Sequence, residues 1–168
     1  MPLAYIALGS NLGDRVGQMR EAFRLLESNF PVEALRSSPI YQNRPVGMGE
    51  GAPDFLNAVV EVRTSLEPLD LLKACLDTEL QLGRVRSSGK WTPRTIDLDL
   101  LDFDSISINT DRLVLPHPRI AERDFVAVPF SELAPDLKIY GKPLSTIVSE
   151  IAVIELQLTK HILITSNT

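Results

Sequence analysis

Apolar positions follow two different spacings along the first half of the chain, and each spacing predicts a different kind of element. The continuous apolar run 3–8 predicts a buried strand that closes at Gly9. Apolar residues then recur at helical spacing and predict a helix over about 14–28, where the acidic side chain of Asp14 suits the positive end of the helix dipole. Residues 32–38 are expected to form a second strand.

A second strand-and-helix pair follows farther along the chain. Residues 56–65 alternate between apolar and polar side chains, which predicts a strand. Thr64 and Glu67 have the spacing of a capping box, so a helix is expected to begin there and to reach about Leu82. Gly83 is typical of a helix C-terminus, because glycine adopts the left-handed conformation without a steric penalty.

The order of these elements predicts the fold class. Two glycine- and proline-containing stretches, 43–53 and 84–93, are expected to be loops, 95–103 a strand, and 106–115 a hairpin arm. The resulting order, strand-helix-strand-strand-helix-strand, is typical of a ferredoxin-like α+β sandwich. We expect a single domain over 1–168, with an antiparallel sheet, helices on one face and mobile loops forming the active site.

Composition excludes several classes of protein. The 168 residues are 44% hydrophobic, which allows a full core without disulfides, and the only cysteine, Cys75, is expected in that core. No stretch approaches the roughly 20 apolar residues of a membrane span, and the first residues do not resemble a signal peptide. The net charge of −5 argues against nucleic-acid binding. We therefore expect a cytoplasmic protein that binds neither a membrane nor nucleic acid, and we also expect it to be a monomer.

Asp97-Leu98-Asp99 carries the sharpest chemical signal in the sequence. Residues i and i+2 of a strand share a face, so both carboxylates are expected to point the same way. Two carboxylates held this close repel each other unless a cation lies between them, and oxygen ligands suit Mg²⁺. Taken alone, the pair is equally compatible with a solvated strand face.

The segment directly before this pair is basic. Arg84, Arg86, Lys90 and Arg94 stand together without an acidic residue among them, although the chain as a whole is acidic. Guanidinium groups bind phosphate oxygens in pairs, so the segment is typical of a polyphosphate site, with a solvated basic loop as the alternative. Trp91 lies among these residues and could stack on a flat ligand or belong to the core.

Taken in order, the motifs resemble the 6-hydroxymethyl-7,8-dihydropterin pyrophosphokinase family of folate biosynthesis. The resemblance covers about residues 3–144. The segments that carry it are 4–13 (AYIALGSNLG), 53–58 (PDFLNA), 79–86 (ELQLGRVR), 91–101 (WTPRTIDLDLL), 115–119 (LPHPR) and 123–125 (RDF). Arg44 and Thr92 depart from the usual family residues, and the tail 151–168 matches no family pattern.

The resemblance implies a reaction and a set of residue roles. ATP would donate pyrophosphate to the pterin, with two Mg²⁺ ions held by Asp97 and Asp99 and with catalysis by Arg86, Arg94 and Asp97. The residues implied to meet ATP are Glu79, Arg84, Arg86, Trp91, Arg94, Arg112, His117 and Arg123. Those implied to meet the pterin are Asn43, Pro45, Val46, Phe55, Asn57 and Phe125, the two phenylalanines by stacking on both faces of the ring.

Two other interpretations stay open on the sequence alone. Another Mg²⁺-dependent nucleotide enzyme on the same kind of sheet, such as a nucleotidyltransferase, explains the carboxylates and arginines but not Phe55, Asn57 and Phe125. A regulatory or interaction module is also possible because this fold hosts many functions, but it leaves the carboxylate pair unexplained.

Overall fold

The computed structural model of the chain describes residues 1–44, 53–83, 96–151 and 156–163. Most of the first predicted loop, all of the second and Thr95, the first residue of the predicted strand 95–103, lie outside these ranges. The strands are β1 Leu3–Ser10, β2 Val32–Ser37, β3 Tyr41–Asn43, β4 Phe55–Thr64, β5 Asp97–Phe103, β6 Ile108–Asn109, β7 Val114–Leu115, β8 Lys138–Ile139, β9 Lys142–Pro143 and β10 Gln157–Leu158. The helices are α1 Arg15–Asn29, α2 Pro68–Gln81, α3 Asp124–Leu133 and α4 Leu144–Glu150, with a short 3-10 helix at Ile120–Glu122.

The main sheet is antiparallel and has β1 at its centre. Strand β1 pairs with β4 on one side and with β5 on the other. Strands β2 and β3 both pair with β4, at opposite ends of its length, and β10 adds to the free side of β3. This arrangement confirms the predicted α+β class, with β3 and β10 as strands beyond the predicted pattern.

Each face of the sheet is covered by different helices. Helices α1 and α2 cover the face that carries Ile6 and Val60, and their apolar residues form the larger core. Helices α3 and α4 pack on the opposite face, against Tyr5 and Val59. Helices α1 and α2 therefore lie on one face of the sheet, as predicted. The helices on the other face, α3 and α4, were not predicted from the sequence.

The ends of the first two helices test the predicted capping signals. The Asp14 carboxylate accepts a hydrogen bond from the backbone N–H of Gly17 at 3.1 Å, which confirms Asp14 at the start of α1. The predicted capping box is wrong. Thr64 ends β4, and its hydroxyl donates to the Pro31 carbonyl at 2.7 Å instead of capping a helix. Helix α2 begins at Pro68, since proline has the φ angle that a first helical residue needs.

Part of the tail that matched no family pattern belongs to the sheet. Strand β10 pairs with β3, and the Thr159 N–H donates to the Ile40 carbonyl at 3.0 Å. The Arg20 guanidinium of α1 donates to the Ile162 carbonyl at 2.7 Å. Leu163 is buried in the larger core, so residues 156–163 are anchored on both the sheet and α1.

Two expectations from composition can be compared with the structure. Cys75 is buried in the larger core, as predicted, and burial raises the pKa of its thiol. Within the described ranges, no helix combines the length and the apolar character needed to cross a membrane.

Candidate active site

The site is organised by three residues that lie opposite one another on three adjacent strands, and we call them a row. Gly9 on β1 lies opposite Asn57 on β4 and opposite Asp97 on β5. Adjacent strands lie about 4.8 Å apart, so the row places Asn57 and Asp97 about 10 Å from each other with only Gly9 between them. Residues in one row share a face, and this row therefore forms an open floor without a central side chain.

The two carboxylates of β5 lie on the same face as this row. Asp97 pairs with Gly9 and Asp99 with Ala7, and both aspartates are half-buried. Leu98 and Leu100 point to the opposite face, where each is only 3% exposed in the larger core. The alternation predicted from Asp97-Leu98-Asp99 is confirmed, and the carboxylates open onto a cleft.

The cleft has a volume of about 960 Å³ and collects the predicted residues. All ten of the predicted site residues that fall in the described ranges line it: Asn43, Phe55, Asn57, Glu79, Asp97, Asp99, Arg112, His117, Arg123 and Phe125. The other predicted site residues, Pro45, Val46, Arg84, Arg86, Trp91 and Arg94, lie outside the described ranges.

The β4 side of the cleft presents aromatic and amide groups. Phe55 and Asn57 are two residues apart on β4 and so share the face that carries the cleft. The Asn57 Nδ2 atom donates a hydrogen bond to Asn43 Oδ1 on the neighbouring strand. Phe125, at the start of α3, lines the cleft with the Arg123 guanidinium 5.9 Å from its ring centre. Flat rings and a primary amide suit a flat polar heterocycle.

The β5 side of the cleft is formed by the segment after β5. The β6–β7 hairpin carries the exposed Arg112 in its turn, and Arg123 directly follows the 3-10 helix. The backbone N–H of His117 donates to the Leu101 carbonyl at 2.9 Å and fastens this segment onto β5. The segment therefore brings three arginines, Arg112, Arg119 and Arg123, and an imidazole to the end of the sheet that carries the aspartates.

The His117 imidazole is set to act as a neutral donor. Its burial, with the positive charges of Arg123 and Arg119, lowers its pKa, and only the Asp97 carboxylate acts in the opposite direction. The Nδ1 atom accepts a hydrogen bond from the Arg119 N–H at 3.1 Å. A neutral imidazole that accepts at Nδ1 carries its proton on Nε2 and can donate it to an anionic oxygen.

The carboxylate set fits Mg²⁺ that is shared with a phosphate ligand. Within the described part of the chain, no three or more His, Cys, Asp or Glu side chains form a metal-binding group of their own. Two carboxylates suffice for Mg²⁺ when phosphate oxygens and waters complete its six positions. Glu79 of α2 also lines the cleft, at 2% exposure. The donor chemistry therefore suits a metal that arrives with a polyphosphate.

Gly9 is a site residue that sequence reasoning missed. The apolar run 3–8 predicts a strand that closes at Gly9, but β1 continues to Ser10 and Gly9 lies inside the strand. A Cβ atom at Gly9 would lie 3.1 Å from Asn57 Oδ1. The signal was available in principle, because a lone glycine within a strand often marks a close approach.

Comparison with known proteins adds independent findings. Residues 5–135 match the family described as "7,8-dihydro-6-hydroxymethylpterin-pyrophosphokinase (HPPK)". A protein of Bacillus subtilis (strain 168) named "2-amino-4-hydroxy-6-hydroxymethyldihydropteridine pyrophosphokinase" is 47% identical over 131 residues, which cover 78% of this chain and 77% of that protein. A protein of the same name from Methylorubrum extorquens is 42% identical over 143 residues, covering 84% and 89%.

A solved structure shares the fold. The wild-type HPPK-DHPS of Plasmodium falciparum superposes with a TM-score of 0.69 at 13% identity. The match covers 89% of this chain and 44% of that longer chain. At this level of identity the likeness concerns the fold alone.

Proposed function

Because the chain belongs to the 7,8-dihydro-6-hydroxymethylpterin-pyrophosphokinase family, we propose that it transfers pyrophosphate from Mg·ATP to 6-hydroxymethyl-7,8-dihydropterin. The products are AMP and the pterin diphosphate. Family membership makes the chain an enzyme of pyrophosphate transfer in folate biosynthesis, and the donor, the metal and the residue roles are the proposal.

The row Asn57–Gly9–Asp97 is the observation that carries this proposal. It puts a group suited to a heterocycle and a group suited to Mg²⁺ on one face, about 10 Å apart. That spacing leaves room for a bound pterin to direct its hydroxymethyl group toward a phosphate held at β5. The bare backbone of Gly9 keeps the path between the two groups open.

The pterin is assigned to the β4 side of the cleft. Phe55 and Phe125 would stack on the two faces of the ring, and the Asn57 amide would bind its polar edge. Backbone groups of Asn43, and of Pro45 and Val46 beyond it in the chain, would complete the binding of that edge. Stacking with an edge contact suits a neutral ring that has polar atoms on its rim.

ATP is assigned to the β5 side and to the arginine-rich segment before it. Arg112, Arg123 and the Nε2–H group of His117 would bind ATP, joined by Glu79 and by the residues outside the described ranges, namely Arg84, Arg86, Trp91 and Arg94. Guanidinium groups bind phosphate oxygens in pairs. Arg86 and Arg94 are assigned to the phosphates that are transferred.

In the proposed reaction the pterin hydroxymethyl oxygen attacks the β-phosphorus of ATP. The bond from that oxygen to the β-phosphorus forms, the bond from the β-phosphorus to the α–β bridging oxygen breaks, and the hydroxyl proton leaves to water. Reactions of this kind depend on positioning and charge neutralisation more than on a strong base. Asp97 and Asp99 would hold two Mg²⁺ ions, which when bound neutralise charge on the phosphate oxygens.

Product analysis tests the proposal. The protein is incubated with Mg·ATP and 6-hydroxymethyl-7,8-dihydropterin, and the products are identified by phosphorus NMR and chromatography. We expect AMP in a one-to-one ratio with a pterin that has gained two phosphates. ADP with a singly phosphorylated pterin, or AMP formed without any pterin, would overturn the assignment.

A further inference from the structure

We propose that the Asn43 side chain is a positioning residue that holds the Asn57 amide in one orientation, and that this orientation selects a ring edge presenting an N–H group beside a carbonyl. The inference rests on the proposed function, since it concerns how the pterin edge is chosen. Its first consequence, a fixed amide at Asn57, belongs to the protein itself and can be measured without any substrate.

A relay of three groups determines which way the Asn57 amide points. The Arg44 carbonyl can only accept a hydrogen bond, so the atom of Asn43 that faces it at 3.2 Å must be Nδ2. The other amide atom of Asn43 is then Oδ1, which also can only accept. The atom of Asn57 that faces it must therefore be Nδ2, as the structure has it. The orientation follows from hydrogen-bonding chemistry at a backbone carbonyl that cannot change its role.

The other atom of the same amide, Asn57 Oδ1, lies next to Gly9. With Nδ2 turned to Asn43, the Oδ1 atom of Asn57 lies over the strand-centre backbone at Gly9, where a Cβ would stand 3.1 Å from it. Both Gly9 and Asn57 line the cleft. Asn57 thus offers the ligand an acceptor at a defined position, with the second hydrogen of Nδ2 as a donor beside it.

The backbone around Asn43 is held from both sides. Strand β3 pairs with β4, where Asn43 lies opposite Phe55, and the two preceding residues, Tyr41 and Gln42, also pair with β10 on the other side. Asn43 and Asn57 are each 7% exposed, so bulk water has little access to compete for their hydrogen bond. A short strand fixed on both edges can hold a side-chain acceptor in place.

The fixed amide predicts a specific preference between ligands. A pterin with a 4-oxo group presents a ring N–H next to a carbonyl, which matches an acceptor next to a donor. A 2,4-diaminopteridine reverses this order, with a ring nitrogen that accepts next to an amino group that donates. A freely rotating amide could serve both orders, whereas a fixed amide serves one.

The test compares Asn43→Leu, which has nearly the same shape but no acceptor, with Asn43→Asp, which keeps an acceptor at the same reach. The side-chain amide signals of Asn57 are followed by nitrogen-15 NMR in the ligand-free protein. We expect one slowly exchanging amide proton in the wild type and in Asn43→Asp, and its loss in Asn43→Leu. Unchanged Asn57 signals in Asn43→Leu would overturn the inference, whatever the protein catalyses.

Binding measurements test the second half of the inference. Dissociation constants are measured for 6-hydroxymethylpterin, for its 2,4-diamino analogue and for Mg·ATP, each with the wild type and both variants. We expect Asn43→Leu to weaken binding of the 4-oxo ligand about tenfold and to reduce the preference over the diamino analogue, with ATP binding unchanged. Asn43→Asp should retain the preference. A preference that survives in Asn43→Leu would overturn the selection, and the product analysis would still decide the proposed function separately.

Discussion

The two faces of the central sheet carry different kinds of side chain on the same strands. On the α1 and α2 face, β1 and β5 contribute apolar residues, such as Ile6, Leu98 and Leu100, to the larger core. On the α3 face, the same two strands contribute Gly9, Asp97 and Asp99 to the cleft. One side of each strand therefore supports the fold, and the other side supplies the chemistry.

The α3 face is itself divided along the strands. Away from the cleft it closes over Tyr5, whose hydroxyl donates to the buried Glu61 carboxylate at 2.7 Å. The Arg36 guanidinium donates to the same carboxylate at 2.9 Å and to the Leu133 carbonyl of α3 at 3.1 Å. Polar groups at this closed end bind one another, whereas those at the open end face the cleft. We therefore expect substitutions on the α1 and α2 face, or at the closed end of the α3 face, to change stability. Substitutions at the open end of the α3 face should change function.

Outside the carboxylate pair Asp97 and Asp99, the largest effect on function alone is expected at the arginines assigned to the transferred phosphates. Arg94→Ala and Arg86→Ala should each lower the maximal rate about a hundredfold, because removing one charge-stabilising group commonly costs about 3 kcal/mol in the transition state. Pterin affinity should change little. Rates at saturating substrate and pterin binding are measured for each variant. If a variant lost pterin affinity but kept a normal maximal rate, the assignment of this segment to ATP would be wrong.

A smaller effect is expected at Gly9, where the two sides of the cleft meet. Gly9→Ala would place a methyl group 3.1 Å from Asn57 Oδ1, so the amide has to shift by a few tenths of an ångström. We expect pterin binding to weaken about tenfold, as for the loss of one hydrogen bond, with the unfolding free energy little changed. Titration with pterin and urea unfolding measure the two quantities. Unaltered pterin affinity would remove Gly9 from the site.

Local sequence patterns were sufficient to predict the placement of residues whose role depends on strand alternation. The spacing of Asp97 and Asp99 predicted a shared face, and the structure has it. Helix α1 was predicted because its apolar spacing and its cap at Asp14 are both local signals. The role of Gly9 was missed because it depends on the register among three strands, which the sequence near Gly9 does not specify.

The other errors have the same origin. Thr64 and Glu67 have the spacing of a capping box, but pairing with Val32 of β2 keeps Thr64 in β4, and the helix begins only at Pro68. Helix α3 contains Pro129, which locally opposes a helix, and packing against the sheet overrides it. Strand β10 has only two residues and exists through its pairing with β3, far away in the chain.

The smallest effect is expected at Asp102, an acidic residue at the closed end. Asp102 is 2% exposed, and burial raises its pKa, with the nearby Asp104 acting in the same direction and a hydrogen bond from the Ser105 N–H opposing both. A raised pKa in the folded state means that folding disfavours the charged form. This cost in unfolding free energy is therefore fully present above the pKa of the folded protein. It is absent below the pKa of the unfolded chain, about 3.9.

Replacing this carboxyl by an amide should remove the penalty. Asp102→Asn keeps an oxygen that can accept from the Ser105 N–H, so the urea midpoint should rise slightly at pH 7 and be unchanged near pH 3. Turnover should remain as in the wild type, because Asp102 is buried beside Tyr5, away from the cleft. A rise of equal size at both pH values would show that the charge is not the cause.

The difference between the two faces is tested most directly on adjacent residues of β5. Leu98→Ala and Asp99→Asn are compared by urea unfolding and by turnover per folded molecule at saturating Mg·ATP and pterin. Leu98→Ala should lose about 2–5 kcal/mol of unfolding free energy, because it leaves a cavity in the core, and should keep most of its turnover. Asp99→Asn should keep its stability and lose turnover. A folded Asp99→Asn protein with near-normal turnover would contradict the assignment of chemistry to this face.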